Sequence, residues 1–340
     1  ESGRLVFSFF NSFSRSGYQI HLYDNINLDK FNRTGALIRT IDNLCFKRTI
    51  SDFDKNYIYL FDKKEKNTKN HTWGKQIQIK FNIFSSYWLR RKPLVMPFPL
   101  HPVHWGHHGK NMANTLAMLR NSQKKIKLFF SGDIKGYRRP KISYPECKLS
   151  RPEIIESIIQ SLPNDSLQID DHAILDSVYS NGYLNKFVVL DTSKVWVDDS
   201  IWFDRLSAAD FFLAPPGICM PMCHNVIEAM ALGVIPVLNY PEWFSPSLEH
   251  MHNCIVFGNH DLIQNVKKVL AMEQYEIAEL RANVIEYYHN YLRPEIFVNN
   301  VESRPEHKVT VLMMTEKYVS ENSNKLNRNS ILMRNSHLKK

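Results

Sequence analysis

Ala209-Asp-Phe-Phe-Leu-Ala-Pro-Pro-Gly-Ile-Cys-Met-Pro-Met-Cys-His-Asn-Val-Ile-Glu-Ala-Met-Ala-Leu-Gly-Val-Ile-Pro-Val-Leu-Asn239 carries the clearest structural pattern in the chain. Phe211 to Ala214 is a short apolar run of strand length, and Pro215-Pro216-Gly217 ends it in a turn. A helix carrying His224, Asn225 and Glu228 follows, Gly233 stops it, and Val234 to Leu238 forms a second apolar strand. Strand, turn, helix and strand in that order make a βαβ unit of a parallel sheet. Ligands of such sheets lie beyond the carboxyl ends of the strands, where helix N-termini present unpaired N–H groups. Gly217, His224, Asn225 and Glu228 fall on that edge, and the last three share a helix face. The expected ligand is polar and carries phosphate. A carboxylate at Glu228 would accept hydrogen bonds from hydroxyls of such a ligand. The competing reading makes Glu228 a surface residue of an amphipathic helix.

The run Glu228-Ala-Met-Ala-Leu-Gly-Val-Ile-Pro-Val237 resembles the nucleotide-sugar signature of GT-B glycosyltransferases. The preceding Phe-Leu-Ala-Pro-Pro-Gly217 is most similar to the exostosin branch. The resemblance is close over residues 209–239, and the βαβ layout is compatible over most of the chain. It implies two facing doubly wound domains, the second binding a nucleotide-sugar as co-substrate, with no resident cofactor. It also implies that Glu228 holds the ribose of the donor. Metal is generally unnecessary in this fold, because protein cations and helix dipoles can stabilise the departing diphosphate. Many retaining members carry a second acid eight residues before the ribose-binding one, where this chain has Met220. Exostosins carry Arg shortly before the acid, where this chain has His224 and Asn225. The branch resemblance favours inversion at the anomeric carbon.

A length of 340 residues predicts two domains, each large enough for its own core, and 44% hydrophobic content excludes a wholly disordered chain. No apolar run reaches the roughly 18 residues of a membrane span. No signal peptide is legible either, since Ser8, Asn11 and Ser12 interrupt Leu5 to Phe13. The five cysteines, Cys45, Cys147, Cys219, Cys223 and Cys254, lack paired metal spacing and read as reduced thiols of a cytoplasmic protein. Asn-x-Ser/Thr matches at Asn32, Asn70 and Asn164 are expected by chance in an Asn-rich chain. The net charge of +9 suits acidic partners: a nucleotide diphosphate, an anionic glycan or an anionic membrane surface.

Periodicity predicts a first domain over residues 1–121, which the resemblance implies is the acceptor side. It contains helix 4–15, strand 19–23, helix 34–44, strands 57–61, 76–83 and 94–98, and helix 111–121. The helix at its start leaves it without the strand that normally opens a doubly wound domain, so the chain reads as a fragment. A second domain, 122–293, opens with strand 126–130. Helix 151–161, strand 187–190, helix 200–208, the signature unit, strand 254–257, helix 262–272 and a long helix 275–292 follow. Residues 294–340 would return to the first domain and end in a mobile basic tail.

Three further segments border the expected cleft. Gly132-x-x-x-Gly136-Tyr-Arg-Arg139 follows an apolar strand. Its glycines permit close backbone approach to a pyrophosphate, and Arg138 or Arg139 offers a fork that matches phosphate oxygens. A plain strand-end turn is the alternative. Leu100-His-Pro-Val-His-Trp-Gly-His-His-Gly-Lys110 is rich in imidazole, whose near-neutral pKa suits a general base, with His104 and His107 preferred. Its spacing matches no familiar zinc ligand set, and Pro102 argues against a regular helix. The alternative is a loop packed around Trp105. Asp24-Asn25, Asp191 and Tyr240-Pro-Glu242 are turn or cap formers in the plainer reading, Asp204 and Arg205 a solvated face, and Cys219 and Cys223 too isolated for a metal pair.

Together these features predict a metal-independent transferase that moves a sugar from a nucleotide-sugar to a glycan or lipid-linked acceptor in cell-surface polysaccharide or glycoconjugate synthesis. It would lie in the cytoplasm, at times against a membrane face. One rival is an epimerase-type relative that processes nucleotide-sugars. Another is a basic nucleic-acid-binding protein, though the chain lacks the aromatic-basic interleaving of an RNA-binding sheet.

Overall fold

A computed structural model of the chain describes residues 2–23, 32–47, 57–61, 76–80, 94–134, 149–217, 220–306 and 308–313. The elements begin with α1 (Ser2–Arg15), β1 (Gln19–Tyr23), α2 (Asn32–Arg39), β2 (Leu44–Lys47), β3 (Tyr57–Phe61), β4 (Gln76–Lys80) and β5 (Leu94–Val95). Next come α3 (Pro102–His108), α4 (Met112–Arg120), β6 (Ile126–Gly132), α5 (Arg151–Ser161), β7 (Ser166–Ile169), α6 (His172–Asn181) and β8 (Tyr183–Asp191). Then follow α7 (Trp202–Ser207), β9 (Ala209–Leu213), α8 (His224–Ala231), β10 (Ile235–Leu238) and β11 (Ile255–Val256). The last are α9 (Leu262–Ala271), α10 (Gln274–Tyr287), α11 (Pro294–Glu302) and β12 (Lys308–Leu312). The result is an α/β protein whose strand pairs are parallel.

The chain divides into two compact units: Glu1–Pro102 with Asn290–Tyr318, and Val103–His289. The first unit holds two three-stranded sheets, β2-β1-β3 and β4-β12-β5. Its α1 buries Leu5, Phe9, Phe10 and Phe13. Phe9 and Phe13 meet Phe297 of α11 edge-on at 6.0 Å each, contacts worth about 0.5–1.5 kcal/mol apiece beyond area burial. Arg15 and Glu295 approach to 3.4 Å across the same seam.

The second unit is a six-stranded sheet in the order β11-β10-β9-β6-β8-β7. Every residue of β9 and β10 is buried, as are the first six of β6. A parallel strand covered on both faces has no polar side to alternate with, which is why these strands read as continuous apolar runs. From β6 the chain goes outward to β7, returns to β8, and then crosses β6 to β9, β10 and β11. Loops leaving the carboxyl ends of β6 and β9 therefore diverge, and the crevice between them is a topological switch point.

The structure corrects several expectations. The helix placed at 34–44 ends at Arg39, and residues from Leu44 form β2 instead. Asn43 takes a left-handed φ of 63°, which a continuing helix cannot absorb. Pro102 does not prevent a helix but starts α3, since the first turn needs no proline N–H. Residues 103–121 fall in the second unit, not the first. There α4 buries Leu116 and Leu119 and packs against α7. β7, α6 and β12 occupy stretches to which periodicity assigned no element, and the long helix 275–292 ends as α10 with a π-helical turn, Tyr288–Leu292. The charged segment 62–70, the tail beyond 322, Asp24-Asn25 and the Gly136-Tyr-Arg-Arg139 run lie outside the described residues.

Candidate functional site

The site is built where β6 and β9 end side by side, with Leu128 opposite Phe211 and Phe129 opposite Phe212. After β9 the loop turns back on itself, Gly217 N donating to Pro221 O at 3.2 Å. A Cβ on Gly217 would stand 2.4 Å from the Met220 carbonyl oxygen, so only glycine fits. Gly217, expected on the ligand edge, thus makes room first for the chain's own backbone. Cys223 then leads into α8 in extended conformation, φ −135° and ψ 166°. The Cys223 sulfur accepts from backbone N–H groups in the first turn of this helix, those of Asn225 and Val226, at the electropositive end of its dipole.

Asn225 ties the two lips together, its Nδ2 donating to Ser131 O of β6 at 3.2 Å. Gly132 leaves room on the same lip, for a Cβ there would lie 3.2 Å from Phe130 Cζ and 3.4 Å from Arg151 Nη1. Arg151, at the first position of α5, is buried; its Nη1 donates to Asp133 O at 3.0 Å and its guanidinium lies 5.9 Å from the Phe130 ring centre. Burial pushes the Cys223 thiol pKa up, and the charge of Arg151 partly opposes this, which sets the guanidinium near the α8 entrance. Sequence reasoning expected a cation at Arg138 or Arg139, which lie outside the described residues, and did not single out Arg151. The available signal was its place at a helix start, where the dipole disfavours a cation.

Glu228 sits one turn into α8 and is 2% exposed. Its flanks Val226, Ile227, Ala229, Met230 and Ala231 are fully buried, so the helix offers this carboxylate no solvent. A buried carboxylate is costly without partners, and Glu228 has them. Trp202 Nε1 of α7 donates to Oε2 at 2.7 Å, and His104 Nε2 of α3 lies 3.2 Å from Oε1. Burial alone would raise its pKa. The hydrogen bond and charge of His104, the charge of His224 and the Trp202 bond outweigh burial and bring it down to about 2. The group is an ionised acceptor at neutral pH, so the His104 contact is a donation from Nε2–H.

His104 also stacks on Phe203, ring centres 4.0 Å apart and 28° between planes, and His108 stacks on the same ring at 5.4 Å and 7°. Burial, then His104 and His107, lower the His108 pKa, while Asp204 opposes them. His107 is exposed and faces Asp198, whose pKa its charge helps hold down after the two Ser200 hydrogen bonds. His104, His224 and Glu228 therefore come together and His107 does not join them. Trp202 is the member of this group that no motif announced.

Of the remaining expectations, Asp191 is a turn former, its Oδ1 accepting from Ser193 N at 3.0 Å and Oγ at 2.7 Å. Arg205 lies 4.1 Å over the Tyr179 ring and 3.5 Å from Asp176, away from the crevice. Tyr240 is buried and stacks on Phe244 beside a 3-10 turn, Pro241–Trp243. Among the described residues no group of three or more His, Cys, Asp or Glu is placed to hold a metal ion. Nor is any described helix long and apolar enough to cross a membrane.

No family profile matches the sequence, and no curated protein matches it. Among solved structures, the chain is similar to a variant of TarM from S. aureus in complex with fondaparinux, alpha-GlcNAc-glycerol and UDP. The identity is 13% and the TM-score 0.34, over 54% of this chain and 37% of that one. It is also similar to the trehalose-6-phosphate phosphatase N-terminal domain of Candida albicans, at 10% identity and TM-score 0.33 over 67% and 49% of the two chains. The chain thus spans less than half the length of either structure. Superpositions this loose decide neither fold nor function, which stand on the chain's own geometry.

Proposed function

We propose that this protein is a glycosyltransferase of the GT-B type that takes a nucleotide-sugar as donor and a glycan or lipid-linked sugar as acceptor. The observation that carries the reading is Glu228: the acid of the nucleotide-sugar signature is ionised, beside the switch-point crevice. Trp202 donates to one of its oxygens and His104 to the other, which fixes how the carboxylate is presented. Ribose is assigned to Glu228 because it stands at the acid's place in the signature. The α8 N-terminus, His224 and Arg151 supply positive potential for the diphosphate, and such preorganised charge is the usual means of stabilising a leaving anion without metal. The sequence motif assigns the same task to Arg138 and Arg139. In transfer, the bond between the anomeric carbon and the diphosphate oxygen breaks, the acceptor oxygen bonds to that carbon, and its proton passes to a base. The reading gives the proton to exposed His107 and leaves His104 to position Glu228. Inversion, an exostosin-like acceptor chemistry and a cytoplasmic location against a membrane face belong to the same proposal.

The test is a thermal-shift panel of nucleoside diphosphates and nucleotide-sugars with wild-type protein, Glu228→Ala and the milder Glu228→Asp. A ligand at a hundred times its Kd stabilises the fold by about 2.7 kcal/mol. At least one compound should shift the wild type, weakly shift Glu228→Asp, and leave Glu228→Ala unmoved. An Ala variant that kept the full shift would remove the ribose role, and a wild type indifferent to every compound would remove the function.

A further inference from the structure

The segment joining β8 to α7 displays an aromatic side chain that the proposed chemistry does not use. Trp196 is 64% exposed, whereas Val195 and Val197 on either side are 1% and 9% exposed. The two valines anchor the backbone inward, so the indole between them is held outward. Both ends of the segment are pinned. Asp191 closes the turn at its start through Ser193, and Asp198 accepts from Ser200 N at 2.8 Å and from the Ser200 hydroxyl. Thr192 N donates to Gly132 O at 3.2 Å, so the segment starts beside the end of β6. It finishes at Trp202, whose indole holds Glu228. Trp196 therefore stands on the crevice edge of the sheet, on a backbone that needs little further ordering when a ligand arrives.

We propose that Trp196 is a stacking platform for a pyranose ring of the acceptor saccharide. The face of an aromatic ring is electronegative and attracts the polarised C–H bonds that line one side of a pyranose. The hydroxyl rim of the sugar needs hydrogen-bonding neighbours, and the exposed side chains adjoining Trp196 in the segment are Lys194 and Asp198. A protein-docking surface would instead present contiguous apolar area. Here the other exposed large apolar side chain of the segment, Ile201, is separated from Trp196 by Asp198, Asp199 and Ser200. Calling the sugar an acceptor rests on the transferase reading; saccharide binding by Trp196 does not.

The experiment uses the full chain as wild type, Trp196→Ala and Trp196→Phe. Saturation-transfer NMR and calorimetry measure binding of chitotetraose, maltotetraose and a hyaluronan hexasaccharide, and the nucleoside diphosphate panel is run in parallel. The wild type should bind one of these saccharides, Trp196→Ala at least about tenfold more weakly, and Trp196→Phe close to wild type, with the nucleotide response equal in all three. Because the indole is mostly exposed, the variants should keep the wild-type Tm. A wild type that binds none of the saccharides overturns the proposal, as does an Ala variant that binds equally well. Loss of the nucleotide response in Trp196→Ala also overturns it, by giving the platform to the base of the donor. Trp196-dependent saccharide binding with no nucleotide response would uphold the platform and sink the transferase reading alone.

Discussion

Replacing Glu228 by Gln keeps the size of the side chain and removes its charge, which isolates the electrostatic role of the group. The carboxylate pKa stands at about 2 against an ordinary 4.5. A depression of that size, at about 1.4 kcal/mol per unit, corresponds to roughly 3 kcal/mol of stability at neutral pH. Leaving a buried hydrogen-bonding group without its partner costs about 1–3 kcal/mol, the same order. Geometry adds a second effect. Trp202 Nε1 can only donate, so the Gln oxygen must turn toward it and the amide NH2 toward His104. The His104 Nε2 must then lose its proton or lose the contact. The sign follows from the direction of the shift: a carboxylate depressed on folding stabilises above its unfolded pKa, and that contribution is lost as pH falls through the folded value. Urea unfolding of wild type and Glu228→Gln, followed by tryptophan fluorescence, should differ by about 3 kcal/mol from pH 5 to 7 and progressively less toward pH 3. In thermal unfolding the same loss is roughly 6–12 °C for a unit of this size. A difference under about 1 kcal/mol at pH 7, or one that stays constant down to pH 3, would refute the reasoning.

Two glycine substitutions test the backbone on either side of α8. Gly233 has a φ of 68°, and a Cβ there would meet Ile285 Cδ1 at 2.9 Å. Gly233→Ala should therefore cost about 1–2 kcal/mol in urea unfolding, mostly from the left-handed conformation, while an unchanged midpoint would contradict that backbone. Gly217→Ala sets a methyl group against the Met220 carbonyl oxygen, a backbone atom that moves only if the loop opens. Its nucleoside diphosphate affinity should fall at least about tenfold in calorimetry, and retention of wild-type affinity would separate this loop from the ligand.

What the sequence made legible follows from burial. Strands covered on both faces, β6, β9 and β10, are uninterrupted apolar runs, and their order with α8 between them could be written down from periodicity alone. The short edge strand β7 carries less apolar signal, whereas β11 shows through the apolar run Cys254 to Phe257, and β12 is paired with strands distant in the chain, a matter of topology that no local window records. The site divides in the same way. Glu228 and the glycines around it stand in one segment with fixed spacing, so a motif could show them. His104 and Trp202 reach the carboxylate from α3 and α7, separated from it by 124 and 26 residues. Nothing in their local sequence marks that meeting, although the histidine-rich stretch raised His104 as a candidate on chemical grounds. Pro102 misled for a specific reason: proline breaks a helix from within but favours the first position, and sequence alone did not show which applied.

The polar contacts of α8 explain how a mostly apolar helix holds one position. Hydrophobic burial is non-directional, so packing alone would tolerate rotation or slippage of a helix built from Val226, Ile227, Ala229, Met230 and Ala231. Asn225 fixes its start to the end of β6 through Ser131. Glu228 fixes its rotation through Trp202 and His104. At the other end Arg120 Nε donates to Ala231 O at 2.9 Å and Arg281 Nε to Gly233 O at 3.2 Å. These cations meet the electronegative end of the helix dipole, where carbonyls lack partners within the helix. Arg281 is in turn paired with Asp210 on β9, so the end of α8 is referenced to the strand that precedes it. Each restraint comes from a different element and acts at a different height along the axis. The helix N-terminus is thereby held against β6 to within hydrogen-bond tolerance, the preorganisation that the proposed transfer draws on.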